Sequence, residues 1–339
     1  MRATILGTGL IGASVGAGLR EAGWKVTGWD PEPSHLREAS EMGAVDEILT
    51  DFPERISGED LVVLAGPVRA ILASLGEIET DALVTDVASV KTSVVSASRR
   101  PARFVGGHPM AGRESSGPGA ASAAMFRGAT WILTTDGASP DDLATLEEVV
   151  TALGAVPVRM TAQAHDAAVA AVSHVPQVVA SALVNLVARE DTALSLAAGG
   201  FRDLTRIALS EPAWWSDVLA ANRDSVAGLV RRLTDELTEW AEKIERGDTE
   251  AIASGLEAAR STRRSLAPPV AAVQVVLEDR PGELAGVGMA LAESGVDIRD
   301  LQLRHATRGG GGVLTLSVRP GQEEALTEAL AERGFRLVG

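Results

Sequence analysis

The chain of 339 residues contains no cysteine, which removes disulfides, thiolate nucleophiles and cysteine–zinc sites together. That absence fits a cytoplasmic protein. Tyrosine is missing too, and no physical reason for that emerges from the sequence. Only Lys25, Lys91 and Lys243 are lysine among 31 basic residues; with abundant alanine, this reads as coding bias rather than function. Net charge is −15, so clustered cations for nucleic-acid phosphates are lacking. No apolar run is read as approaching a membrane span, and the chain enters a strand at once. No signal peptide, membrane segment or membrane partner is therefore expected. The five histidines show no metal-ligand spacing, and no metal is expected. What is present suffices for real cores: 45% hydrophobic and 23% charged residues, in a length suited to two or three domains.

The first part alternates strands and helices. Thr4–Leu6 is a short apolar strand, followed by a glycine loop and an Ala/Gly-rich helix to about Ala22. Lys25–Asp30 is the second strand. Leu61–Ala65 and Ala82–Asp86 are continuous apolar runs, as parallel strands buried on both faces should be. Phe104–Gly106 and Thr130–Leu133 are expected to extend the sheet, and Val156–Val158 to close it. This predicts an α/β, doubly wound Rossmann domain over 1–160. From 161 to 267 the pattern is helical only. There Val226, Val230, Leu233, Leu237, Trp240 and Ile244 form a narrow seam on one long helix. The seam suits burial within a monomer or a dimer interface. Pro268–Pro269 marks a linker. Residues 270–339 then read β-α-β-β-α-β, a ferredoxin-like α+β unit.

Gly7, Gly9 and Gly12 fit G-x-G-x-x-G between a strand and a helix, with Leu10 and Ile11 at the helix start. Glycines there allow the tight turn, close approach of a pyrophosphate and helix–strand packing. The helix N-terminus offers N–H groups to phosphate. Asp30, at the end of the second strand, suits ribose hydroxyls and would repel a 2′-phosphate, so NAD is preferred over NADP. Its alternative is a turn residue before Pro31. His108 lies between Gly106–Gly107 and Pro109 at a strand's C-terminal end, where open α/β sheets place ligands. Neutral imidazole there can accept a hydroxyl proton. Ser89, in Asp86-Val-Ala-Ser-Val-Lys91, faces the same crevice or caps the helix beginning near Val90. Arg202 and Arg206, after Gly199–Gly200, can clamp carboxylates or lie on a solvated face. Asp166 and His174 are ambiguous by pattern alone.

These residues in this order — Gly7 to Gly12, Asp86 to Lys91, His108-Pro-Met-Ala-Gly112, Ser173-His-Val-Pro176 and Gly200-Phe-Arg-Asp-Leu-Thr-Arg206 — resemble the prephenate dehydrogenase family of tyrosine biosynthesis, over about residues 2 to 265. The last segment resembles an ACT regulatory domain. The resemblance implies NAD-dependent oxidative decarboxylation of prephenate to 4-hydroxyphenylpyruvate. His108 would accept the ring hydroxyl's proton, Ser89 would bind that hydroxyl, and Arg206 would hold a substrate carboxylate. Gly199, Arg202, Asp203, Trp215, Asp166 and Gln177 would line or support the pocket. Arg113 and Gln177 depart from some relatives, which carry Thr and His there. With Glu114, they bear on the choice between prephenate and arogenate, whose ammonium would want a carboxylate partner such as Glu114, Asp166 or Asp203. The helical region is expected to pair two copies as a homodimer. Tyrosine feedback is expected at the turn Asp279-Arg280-Pro281-Gly282.

The alternatives are an arogenate dehydrogenase and a catalytically inactive amino-acid sensor. Hydroxyacid dehydrogenases of similar layout rely on a lysine in the helical domain. Here Lys243, far along the long helix, is the only lysine after Lys91. No segment remains for a fused chorismate mutase.

Overall fold

The structure is a computed structural model that describes residues 1–98, 102–112, 117–189, 193–266, 270–305 and 311–338. It divides into two compact units, Met1–Glu236 and Leu237–Gly339.

The first unit opens with β1 (Arg2–Leu6), α1 (Leu10–Glu21), β2 (Lys25–Trp29), α2 (Pro33–Glu41) and β3 (Glu47–Ile48). It continues with β4 (Arg55–Ile56), β5 (Leu61–Leu64), α3 (Val68–Glu77), β6 (Glu79–Thr80), β7 (Leu83–Asp86), α4 (Thr92–Ala97) and β8 (Phe104–Val105). Six of these strands form a parallel sheet in the order β3-β2-β1-β5-β7-β8. The apolar runs are explained by its two covered faces. Ala3, Ile5, Leu61, Val63 and Leu83 enter one core, while Leu6, Val62, Leu64 and Val84 enter the other. Strand order reverses between β1 and β5, the crevice where such sheets take ligands.

The expectation that Thr130–Leu133 extends this sheet is corrected. After β8 the chain turns through Gly106 into β9 (Gly107–Pro109), which pairs antiparallel with β10 (Thr130–Thr134). α5 (Pro140–Ala152) leads to β11 (Val156–Met160), which pairs with β10, giving a separate sheet β11-β10-β9. The reversal at Gly107–Pro109 diverts the chain, and period-two patterns do not reveal a strand's partner.

Helices follow. α6 (Ala162–Val169), a wide π turn (Ala170–His174) and α7 (Val175–Val187) form one helical rod. Pro176 has no N–H and its ring collides with the carbonyl four residues back, so the turn before it widens. By length and composition Ala162–Val187 could cross a membrane, with mean hydropathy 1.7. This corrects the reading that no segment approaches a span. His165, Asp166, His174 and Gln177 on this rod are buried polar residues. Then come α8 (Gly199–Thr205), a 3-10 turn (Arg206–Leu209), α9 (Pro212–Ala221) and α10 (Arg223–Glu245). On α10, Val226 is buried, but Leu237 and Ile244 are 59% and 62% exposed.

The second unit holds the end of α10, α11 (Thr249–Ser265), β12 (Ala271–Leu277), α12 (Glu283–Ser294), β13 (Ile298–His305), β14 (Gly312–Val318), α13 (Glu323–Glu332) and β15 (Arg336–Leu337). Its antiparallel sheet runs β13-β14-β12-β15, the ferredoxin-like arrangement expected. Val275, Leu314, Leu316, Leu326 and Leu330 fill its core.

The glycine loop explains its own sequence. Gly7 has φ +102°, and a Cβ there would strike the Ala65 carbonyl. A Cβ on Gly12 would strike the Gly7 carbonyl and come within 2.9 Å of the Ala65 Cβ. A Cβ on Gly9 would meet nothing within 4 Å. Gly7→Ala is therefore expected to cost about 1–3 kcal/mol of stability. Gly9→Ala should stay within about 0.5 kcal/mol. Urea unfolding of both variants checks the contrast, and equal losses would contradict it.

Candidate active site

The loop between β1 and α1 faces the open crevice. Gly9 precedes α1, and no side chain caps the helix, so its first N–H groups are available to an anion. The empty space over Gly9 fits a pyrophosphate, whereas Gly7 and Gly12 are closed by packing. Leu10 and Ile11, at the helix start, are half-buried. Asp30 is buried. Its Oδ2 accepts from Thr8 N at 2.7 Å, and its Oδ1 from Glu32 N at 2.9 Å. His35 Nδ1 stands 3.4 Å from Oδ1. Asp30 thus ties the glycine loop to the β2 turn, and each oxygen retains lone-pair capacity for a hydroxyl. The turn role and the ribose role are compatible.

Two strands along from β1, the end of β7 and the strand β9 build a rigid seat for His108. Lys91 and Asp86 are fully buried and paired. Lys91 Nζ also donates to the Gly107 carbonyl at 2.7 Å, while Gly107 N donates to Asp86 Oδ1 at 3.1 Å. Both backbone groups of Gly107 are therefore gripped by one ion pair. A Cβ on Gly107 would lie 2.6 Å from the Asp86 carbonyl, so the residue before His108 must be glycine. Burial pushes Lys91 down and Asp86 up, and their attraction opposes both shifts. Removing one partner would strand a charge, a defect that typically costs about 3–5 kcal/mol.

His108 Nδ1 lies 2.8 Å from His165 Nε2, and His165 Nδ1 lies 2.8 Å from Asp166 Oδ1. Asp166 also accepts from Lys91 N at 2.7 Å and Thr92 N at 2.8 Å. These are the leading N–H groups of α4, which carries no side-chain cap of its own. The cap expected of Ser89 is thus supplied by Asp166 from a distant helix. Burial alone would raise the Asp166 carboxyl, but the hydrogen bonds from His165, Thr92 and Lys91 hold it below its usual range. The carboxylate faces this network and not an open pocket. Behind it, Asn222 Nδ2 donates to the Asp166 carbonyl at 2.8 Å and approaches His174 Nδ1 at 3.2 Å. Trp215 stands edge-on to His174, with centroids 5.9 Å apart. His108 is held well below the ordinary histidine range by burial first, then by His165, Lys91 and His174. It is neutral near pH 7 and able to accept a proton.

Two expected ligand contacts have buried polar atoms without a partner: Ser89 Oγ and Gln177 Oε1. Such atoms cost energy unless something else satisfies them. Arg206 opens the 3-10 turn that packs on α7, the helix carrying Gln177, and is exposed. Gly199, Arg202 and Asp203 lie exposed on α8. Arg113 and Glu114 lie outside the described residues. Asp86, Lys91, His165 and Asn222 were given no role from sequence. The adjacent His165-Asp166 pair on a helix is the signal that could have marked them.

Comparisons with known proteins agree across the three parts of the chain. Residues 15–159 match the family model described as prephenate dehydrogenase, nucleotide-binding domain. Residues 161–258 match the prephenate dehydrogenase dimerization domain, and 271–335 match the ACT domain. A prephenate dehydrogenase of Bacillus subtilis (strain 168) is 31% identical, over 98% of this chain and 96% of its own. Among solved structures, prephenate dehydrogenase from A. aeolicus, in complex with hydroxyphenyl propionate and NAD+, is 30% identical with TM-score 0.72. That match covers 79% of this chain and 98% of that one. Synechocystis arogenate dehydrogenase is 29% identical with TM-score 0.69, covering 79% and 100%.

The buried histidines have a consequence for stability. Burial lowers His174 from 6.5 to about 4. Between these values the unfolded chain binds a proton that the folded chain refuses. The stability is full above pH 6.5 and falls as pH drops toward about 4. The slope from this one group reaches at most about 1.4 kcal/mol per pH unit. His108 acts in the same direction. Chemical unfolding at stepped pH, with His174→Gln as comparison, should show a shallower acid slope in the variant.

Proposed function

The chain belongs to the prephenate dehydrogenase family, and from that premise we propose that it oxidises and decarboxylates prephenate to 4-hydroxyphenylpyruvate, with NAD as the oxidant. The observation that carries this reading is a neutral histidine rigidly seated at the end of β7, two strands along the sheet from the glycine loop that follows β1. Gly7, Gly9, Leu10, Ile11, Gly12 and Asp30 form the dinucleotide seat. When bound, the nicotinamide supplies the hydride acceptor.

His108 takes the proton of the ring hydroxyl as hydride leaves the same carbon. Ser89 hydrogen-bonds that hydroxyl, which satisfies its otherwise unpartnered Oγ. The ring carboxylate departs as CO2, and its bonding electrons complete the aromatic ring. The product keeps a hydroxyl at the oxidised carbon, so the proton returns to the same oxygen and the base ends as it began. Aromatisation drives the step, leaving alignment and charge placement to the protein. Arg206 is assigned to a substrate carboxylate. Gln177, Trp215, Gly199, Arg202, Asp203, Arg113 and Glu114 are assigned to the pocket. Asp166 is assigned to support rather than to the ligand.

Prephenate is favoured over arogenate because Asp166, a candidate partner for arogenate's ammonium, already accepts three N–H groups. The functional divisions are 1–160 for the dinucleotide, 161–267 for substrate and pairing, and 270–339 for regulation. The exposed Leu237 and Ile244 on the α10 seam support a homodimer. A chain without cysteine suits the reducing cytoplasm.

Regulation by tyrosine is assigned to a cleft of about 170 Å³ in the second unit. Asp279, Arg280, Gly282, Glu283, Leu284 and Leu303 line it. Gly282, at φ +96°, starts α12, so that helix N-terminus and Arg280 suit a carboxylate, and Glu283 and Asp279 suit an ammonium.

Purified protein should form NADH with prephenate and NAD, monitored at about 340 nm, an absorbance that follows from the reduced nicotinamide. His108→Ala should lower turnover by about 10²–10⁴-fold. Turnover of arogenate alone would move the substrate assignment, and silence with both would favour an amino-acid sensor. Arg280→Ala should raise the tyrosine concentration for half-inhibition about tenfold or more, as loss of a charge-assisted hydrogen bond implies. Unchanged sensitivity in that variant would remove the regulatory assignment.

A further inference from the structure

His108 has two ring nitrogens, and only an unprotonated one can take a substrate proton. Which nitrogen is bare follows from the groups behind it. Asp166 accepts from two backbone N–H groups, Lys91 N and Thr92 N, which can only donate. The carboxylate so held can only accept, so the proton between it and His165 sits on His165 Nδ1. A neutral His165 then has a bare Nε2. That atom is 2.8 Å from His108 Nδ1 and must receive a proton from it. A neutral His108 with hydrogen on Nδ1 has its lone pair on Nε2.

We propose that His165 and Asp166 are positioning residues that fix His108 in the tautomer whose Nε2 accepts the substrate proton. This rests on the reading of His108 as the base. It goes beyond that reading because it names which nitrogen acts and what enforces it. When Nε2 takes the proton, His108 becomes an imidazolium. Its Nδ1–H stays bonded to His165, and the new charge is offset by Asp166 through one intervening ring. No proton need pass along the chain for this, since orientation and charge stabilisation suffice. His165 is wholly buried, so no water competes for either of its nitrogens. The rings of His108 and His165 stand edge to face, with centroids 5.0 Å apart, so neither is free to flip without the other.

One ring away from His108, the Asp166 carboxylate sets the tautomer through His165.

The test uses the full chain with nitrogen-labelled histidine rings, observed by NMR at neutral pH. His108 should show a protonated Nδ1 and a bare Nε2. In Asp166→Asn the carboxylate charge is lost, and an amide nitrogen set at the Oδ1 position would donate to His165 Nδ1 and put a proton on His108 Nε2. That variant should lose about 10²–10⁴-fold in kcat with KM nearly unchanged, as expected for a misplaced tautomer. A protonated Nε2 in the unaltered chain overturns the proposal. So does an unchanged kcat in a folded Asp166→Asn variant.

A second variant separates orientation from space-filling. His165→Ala should be rescued by added 4-methylimidazole, which can donate to Asp166 and accept from His108. It should not be rescued by 1-methylimidazole, which has the same size but no N–H. Equal rescue by both would reduce His165 to packing and overturn its assignment. An unaltered chain that leaves prephenate untouched would overturn the dehydrogenase reading instead. The nitrogen spectrum would still decide the tautomer on its own.

Discussion

The carboxylate of Asp166 joins the two parts of the site. It sits on the helical rod Ala162–Val187, yet it closes the N-terminus of α4, which belongs to the Rossmann layer. The same group anchors His165 and, through it, the back of His108. An ordinary cap from the preceding loop would have satisfied α4 locally and left the rod free to shift. Using a remote acid makes the correct docking of the rod a condition for finishing α4. Buried polar groups are costly when unsatisfied, so this arrangement is all or nothing. Lys91 sits at the junction, with its backbone N–H on Asp166 and its side chain on Asp86 and Gly107.

Much of this fold was legible because it rests on local rules. Leu61–Leu64 and Leu83–Asp86 read as parallel strands since both faces are covered, and continuous apolarity is the consequence. The glycine loop was legible because Gly7 and Gly12 are required by collisions that any Cβ would cause. The ferredoxin-like unit was legible from its turns. The fate of Thr130–Thr134 was not, because a strand's partner depends on where a distant reversal falls, here Gly107–Pro109. The polar network was the least legible part. His108 and His165 are 57 positions apart, and Lys91 and Asp166 are 75 apart. Their meeting depends on how the rod docks, which no periodicity encodes. By sequence Ser89 could cap α4 or face the crevice, and the cap comes instead from Asp166 on the distant rod. That exchange leaves Ser89 Oγ without a partner, so the same miss is what supports its role toward a ligand.

The apolar rod raises a related point. Its composition passes for a membrane span, yet His165, Asp166, His174 and Gln177 all lie on it and are buried. One stripe of the rod is buried with these polar side chains, while much of the rest is exposed. Exposed Leu186 on the rod and exposed Leu209 nearby leave apolar surface that a single copy of the first unit does not cover. That surface and the helical seam on α10 both lie within the span 161–258 that matches a family's dimerization domain.

A histidine this far below its ordinary range is a weak base, which at first argues against its role. The chemistry removes the objection. In the reaction proposed above, the proton it takes goes back to the same oxygen once the ring is aromatic, so the base needs only to hold it briefly. A stronger base would resist returning it and would be protonated at rest. What the reaction needs is an acceptor that is neutral beforehand and supported only while charged. Burial supplies the first condition, since it penalises the imidazolium at rest. Asp166, one ring removed, supplies the second, because its attraction acts only on the charged form. Both conditions depend on keeping water out, and the fully buried His165, Lys91 and Asp86 behind His108 do that.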